Sequence, residues 1–231
     1  MTHKCIVQWL LVISSVLPLA ACANDYPSHY SAESIEAKVI DAETKKPIEG
    51  VIVTANWQLL GGIEGSYPVG QMQVMETQTG QDGVFRFPAW GPLKRPKGHL
   101  RENDPQLLLF KSGYEYRRLG NYMEASWGKL REPLRRSDWN GRTIALKLFR
   151  GTEEEYARHL GFFETSLDAL LEEECAWKRV PRMILAVSTQ SDIFRVKGLY
   201  ALPSIESLDI RYKKLESKCG SVKEFFRNYK P

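Results

Sequence analysis

His99-Leu100-Arg101-Glu102 places an imidazole and a carboxylate three residues apart. Zinc hydrolases use that spacing together with a distant third histidine. Such a site needs a neutral imidazole and a carboxylate converging from a rigid element. Here the pair sits in a polar loop, RPKGHLREND. Of the other histidines, His29 lies in a polar N-terminal segment and His159 in a charged helical stretch. Zinc chemistry is therefore not expected. Glu172 to Cys175 (EEEC) also offers ligand types, but neighbouring helical residues point apart, which predicts a solvated face. There is no Gly-x-Ser-x-Gly elbow, no Gly-x-Gly-x-x-Gly turn and no Walker loop. The residue types predict no cofactor, no metal and no enzymatic activity.

The stretch with recognition chemistry is 93–142. It carries twelve Lys or Arg against six Asp or Glu, whereas residues 22–92 carry four against nine. Such asymmetry makes a field on one side of a molecule. Aromatic residues interleave the bases. Arginine and aromatics together suit a protein interface or a phosphorylated glycan, through bidentate contacts and stacking. The candidate contact residues are Arg117, Arg118, Trp127, Arg131, Arg135, Arg136 and Trp139. The competing reading is a solvated loop whose aromatics pack back on the fold. The formal net charge of +4 is too small to imply nucleic acid.

What positions these residues begins with the N-terminus. MTHKCIVQWLLVISSVLPLAAC has a short polar start, an apolar run from Ile6 to Leu19 and small residues after it, the layout of a secretory signal. Leu19-Ala20-Ala21-Cys22 resembles the lipobox of bacterial lipoproteins. The resemblance implies removal of residues 1–21, acylation of Cys22, and membrane attachment by three acyl chains, which anchor stably where one is marginal. Ala23, rather than Asp, follows the cysteine, which by the usual sorting rule implies the outer membrane; exposure on the periplasmic face is expected over the cell exterior, though the residues themselves do not choose between them. Cys5 would leave with the signal. Cys175 and Cys219 remain in an oxidising compartment, where pairing is expected and two buried thiols are the alternative. Residues 22–34, small and polar, read as a tether.

From residue 35 the chain alternates. Ile35, Ala37 and Val39 face one way and Glu36 and Lys38 the other, and Val51, Val53 and Ala55 repeat the period. Residues 73–79, the turn GQDG and the run VFRF read as a hairpin, with Asp82 and Gly83 serving the turn rather than catalysis. Strands follow in Gln106–Leu119, around a Ser112-Gly113 turn, and in Arg142–Phe149. About seven short strands predict a β-sandwich.

This order is similar to the carboxypeptidase regulatory-like family of transthyretin-like sandwiches. The matching positions are Val39, Asp41, Pro47, Ile48, Gly50, Val51, Val53, Thr79, Asp82, Gly83, Phe85, Phe87, Gly113 and Tyr114, over roughly residues 35–150. Segments at about 58–72, 88–105 and 120–141 are insertions on that pattern. In that family the domain accompanies a peptidase, a transporter or an adhesin and seldom carries chemistry itself.

Residues 151–231 read as helical. Tyr156, Leu160, Phe163, Leu167 and Leu170 share one face, and Thr152 with Glu155 makes a capping box. A short helix over 180–188, a third over 204–219 and a last turn capped by Ser221 follow. Acids and bases balance here, thirteen of each, so no electrostatic role is expected. The whole predicts an α+β protein, a transthyretin-like sandwich followed by a small helical region. Its expected role is a lipid-anchored envelope scaffold or accessory subunit. A binding module for an anionic glycan or lipid is the alternative, and a hydrolase centred on His99 and Glu102 the third reading.

Overall fold

The computed structural model describes residues 26–62, 67–101, 103–121, 132–199 and 202–230. Among them are eleven strands in three sheets, more than the seven expected, and five C-terminal α-helices. The strands are β1 (His29–Ala32), β2 (Ile35–Asp41), β3 (Ile52–Gly61), β4 (Tyr67–Gln78), β5 (Val84–Phe87), β6 (Trp90–Lys94), β7 (His99–Leu100), β8 (Gln106–Phe110), β9 (Arg117–Leu119), β10 (Leu134–Arg135) and β11 (Thr143–Leu146). One sheet runs β4-β3-β8-β9, with β7 also on β3; the others run β11-β2-β5 and β10-β1-β6.

The layers follow from side-chain parity. Val53, Ala55, Trp57 and Leu59 of β3 and Leu107 and Leu109 of β8 pack with Ala37, Val39, Phe85, Phe87, Ile144 and Leu146 of the facing sheet. Ile52, Leu108 and Phe110 point the other way and join the helices' core. The large sheet is thus covered on both faces, and β3 is buried without a break from Ile52 to Leu59. Its other outward-alternating residues, Thr54, Asn56 and Gln58, are buried as well.

Several expectations need correction. The predicted hairpin is not one. Both strands exist, but β4 pairs with β3 while β5 pairs with β2, so GQDG is an arch between sheets. Asp82 accepts from the Val84 amide at 2.9 Å. Gly83 has φ +75°, and a Cβ there would run into the Val39 carbonyl oxygen. Thr79 locks the arch: its hydroxyl accepts from the Val51 amide at 2.8 Å and donates to the Ile48 carbonyl at 2.7 Å. The segment expected as a tether to residue 34 carries β1, whose Tyr30 is fully buried. The insertion near 58–72 prolongs β3 and β4 as a paired ribbon, and that near 88–105 supplies β6 and β7.

Helix α1 (Glu153–Leu170) has the predicted capping box and buried face. Its Phe163 ring lies 5.2 Å from Phe110. Helix α2 runs from Pro181 to Val196, eight residues beyond the predicted end, and has no side-chain cap of its own. The sheet supplies one. Glu76 of β4 accepts from the Arg182 and Met183 amides, both at 2.8 Å, placing a carboxylate on the positive end of the helix. The third predicted helix is broken into α3 (Ile205–Arg211), a 3-10 turn and α4 (Glu216–Cys219). The break falls at Tyr212, which is buried and donates to the Leu171 carbonyl at 2.6 Å. α5 (Val222–Asn228) is capped by Ser221.

Cys175 and Cys219 form a disulfide 44 residues apart in sequence, worth roughly 4 kcal/mol if it acts by restricting the unfolded chain. The EEEC run lies beyond the end of α1; Glu172 and Glu174 are exposed, as expected of a solvated face, but the carboxylates are tied to neighbouring side chains. Glu172 accepts from Gln58 at 2.9 Å, and Glu173 accepts from the Gln71 amide and from Arg179, both at 2.6 Å. Glu174 pairs with Lys218.

The Glu76 cap gives a direct test. Glu76→Ala leaves the Arg182 and Met183 amides without a partner, and should cost about 1–3 kcal/mol. This is read as a lower urea midpoint at unchanged slope. Glu76→Gln, which keeps one acceptor, should fall between.

Candidate functional site

The basic stretch is organised by β10. Leu134 and Arg135 pair in parallel with Ser31 and Ala32 of β1, and the Glu33 amide donates to the Arg135 carbonyl at 3.0 Å. This register turns the Arg135 side chain inward. It is 3% exposed, with its guanidinium 5.2 Å from the centre of the Tyr30 ring. Below it lies Asp104, 1% exposed. The Asp104 carboxylate accepts from the Arg101 amide at 3.1 Å.

Asn121 holds the wall. Its side-chain amide donates to the Asp104 carbonyl at 2.8 Å and the Arg136 carbonyl at 2.7 Å, and its oxygen accepts from the Asp138 amide at 2.9 Å. Trp139 donates through Nε1 to the Gly120 carbonyl at 3.0 Å, and its ring packs against the sandwich core. Asn140 accepts from the Glu36 amide at 2.9 Å. These contacts enclose a cleft of about 380 Å³ whose lining is charged and polar except for Leu134.

Burial pushes the Asp104 carboxyl up to about 8, against the opposing pull of Arg101 and Arg135. Burial likewise lowers Arg135, with Tyr30 and Asp104 pulling back. A guanidinium remains protonated regardless. The low exposure of Asp104 makes it a structural acid under the cleft rather than a group presented to a ligand.

The rim is different. Arg136 pairs with Glu33 at 2.8 Å, both well exposed, an interaction worth about 0–1 kcal/mol. Arg142 lines the cleft and has no carboxylate within ion-pair distance among the described residues. Of the residues singled out from sequence, Arg135 and Arg136 thus line one cleft, the first as part of its floor, while Trp139 turns to the sandwich core. Arg117 and Arg118 lie on β9, at the edge of the large sheet, and Arg118 lines a separate cavity. Trp127, Arg131, Glu102 and Cys22 lie outside the described residues. His99 is buried and stacks on Tyr26, ring centres 4.1 Å apart. Among the described residues no three His, Cys, Asp or Glu side chains gather as a metal site. Sequence reasoning missed Asp104 and Asn121. The available signal is an acid beside proline, Asp104-Pro105, within a basic stretch.

No family model matches the chain. No curated protein matches it either. Among solved structures it is similar to 3-chlorocatechol 1,2-dioxygenase from Rhodococcus opacus 1CP, with 15% identity over 55% of this chain and 63% of that one, TM-score 0.32. It is similar to the dioxygenase domain of a carbohydrate-binding fusion from Streptomyces sp. SirexAA-E, with 20% identity over 55% and 84%, TM-score 0.28. A group B streptococcus pilus 2b backbone protein gives 18% identity over 53% and 42%, TM-score 0.26. The chain spans less than two thirds of the first of these. Overlaps of this size leave function to the chain's own residues.

Asp104 makes stability depend on pH. Its carboxyl keeps a proton in the fold up to about pH 8, whereas its ordinary value is 3.8. Between those values the folded state binds more protons than the unfolded one, so stability falls as pH rises and the loss is complete above about 8. Asp104→Asn removes the titration. The melting temperature of the native protein should fall relative to the variant between pH 5 and pH 9. Parallel curves would mean that Asp104 is ionised throughout.

Proposed function

We propose that this chain is a lipid-anchored envelope protein of non-enzymatic, binding or structural type, an accessory subunit that presents its charged cleft to a protein partner. The carrying observation is that cleft: a polar cavity with a buried, internally tied floor and, at its edge, Arg142, which has no carboxylate within ion-pair distance among the described residues. A rigid floor under a charged rim suits charged side chains of a partner. It offers little to an apolar ligand.

The parallel pairing of β2 with β11, the arch crossing from β4 to β5 and the sandwich core support a transthyretin-like domain of the carboxypeptidase regulatory-like kind. Anchoring rests on Cys22, at the outer membrane and facing the periplasm. Three residues separate Cys22 from Tyr26, which stacks on His99, and that distance spans at most about 14 Å. The fold would therefore be held close against the bilayer rather than on a long leash.

Cys22→Ala should move the protein from the membrane to the soluble fraction. Retention in the membrane would refute acylation at that residue. The partner is tested by in-cell crosslinking and mass spectrometry, comparing native protein with Arg136→Ser/Arg142→Ser. Both arginines are exposed, so their loss should leave the fold intact; Arg135 is unsuitable because its side chain is buried. One protein captured by the native chain and lost in the variant is expected. Capture of none, with salt-sensitive binding to anionic envelope polymers, would replace the protein partner by a glycan or lipid.

A further inference from the structure

A second cavity, about 410 Å³, opens between the polar face of the large sheet and the C-terminal half of α1. Small-molecule sites begin at about 300 Å³. The sheet side is unusual for a layer packed under a helix, because Asn56, Gln58 and Gln106 stand where apolar residues would fill the gap. Asn56 and Gln58 are 5% and 4% exposed. Three atoms in this wall are shielded from bulk water and have no hydrogen-bond partner among the described residues: Asn56 Oδ1, Gln106 Oε1 and Arg101 Nε. Buried polar atoms are nearly always bonded, so such a group calls for a ligand or ordered water.

The chemistry divides by sign. Asn56 and Gln106 offer acceptors, and so do Asp168 and Glu172 on the helix side. Asp168 is held at 2.6 Å by Arg211, and Glu172 at 2.9 Å by Gln58. Each carboxylate retains lone pairs for hydroxyl donors. Arg101 and Arg118 offer cations; Arg118 is exposed and has no carboxylate partner among the described residues. A ligand matching both halves carries several hydroxyls and one acid group. Simple anions would meet Asp168 and Glu172, and neutral sugars would leave Arg101 and Arg118 unanswered.

We infer that this cavity is a binding site for a sugar acid, with Arg101 and Arg118 on the acid group and Asn56, Gln106, Asp168 and Glu172 on the hydroxyls. Its lining is distinct from that of the charged cleft, although Arg101 also bonds Asp104 of the cleft floor, and the site does not depend on how the protein is anchored.

Isothermal titration of the purified full chain with glucuronate tests it, with glucose and acetate as controls. Saturable binding with a Kd of about 1 mM or tighter is expected for glucuronate. Glucose and acetate should each bind at least tenfold more weakly. Arg118→Ser, a surface change, should weaken glucuronate at least tenfold, and Gln106→Leu should do likewise with an unchanged circular dichroism spectrum. Absence of saturable heat would overturn the site, leaving ordered water as its content. Acetate binding as tightly as glucuronate would overturn the sugar, and unchanged binding in Arg118→Ser would overturn the assignment to this cavity.

Discussion

The large sheet has no free face, and most of the molecule follows from that. β3 is covered by the sandwich core on one side and by the helices on the other, so eight successive residues are buried. A strand in that position must satisfy two different neighbours at alternate residues. Toward the sandwich it does so with Val53, Ala55, Trp57 and Leu59, which interlock with Phe85 and Phe87. Toward the helices it is apolar at Ile52 and then polar at Thr54, Asn56 and Gln58. The helical layer is consequently joined to the sheet in two ways. At one end Phe110, Phe163 and Tyr156 pack directly; at the other Gln58 and Gln71 reach Glu172 and the Ala169 carbonyl. The disulfide and Tyr212 then hold the remaining helices around α1.

Those features account for what could be read in the sequence. Period-2 alternation identified β2, β3, β5 and β11, and the 3.6 period with the Thr152–Glu155 box identified α1, because each is a local consequence of one buried face. Partners are not local. A strand, a tight turn and a strand describe a hairpin and an arch equally well; the difference lies in Val39, forty-four residues from Gly83, whose carbonyl occupies the space a side chain would need. β1 was hidden for a similar reason, since four residues with one buried tyrosine and alanine carry too little pattern to outweigh a polar composition. The start of α2 near residue 180 is legible, although its cap, Glu76, arrives from another layer; its continuation to Val196 is not, because Gln190, Ser191 and Asp192 interrupt the apolar pattern. The third helix was read as continuous because nothing local reveals that Tyr212 must reach Leu171.

The charged region shows the same limit. Charge density located the stretch that forms the cleft, but not which side chains line its floor and which its rim. Arg135 and Arg136 are neighbours of identical type, and strand parity sends one under the surface against Tyr30 and the other out to Glu33. Asp104 and Asn121, which organise the wall, carried no signal of their own. Arginines counted as a single basic patch thus divide among three tasks: structural support, a surface pair, and the lining of a cavity against α1.

β1 has one further consequence. It is bonded along both edges, in parallel to β10 and antiparallel to β6. Ladder bonds lie across the strands, so a pull along β1 loads them in shear, and several must fail together. If the chain is tethered at Cys22, tension entering at Tyr26 passes through β1 into β10, which carries the floor of the charged cleft. The charged cleft and the attachment to the bilayer would then lie on one line of force, with the β10-β1-β6 sheet as the clamp between them.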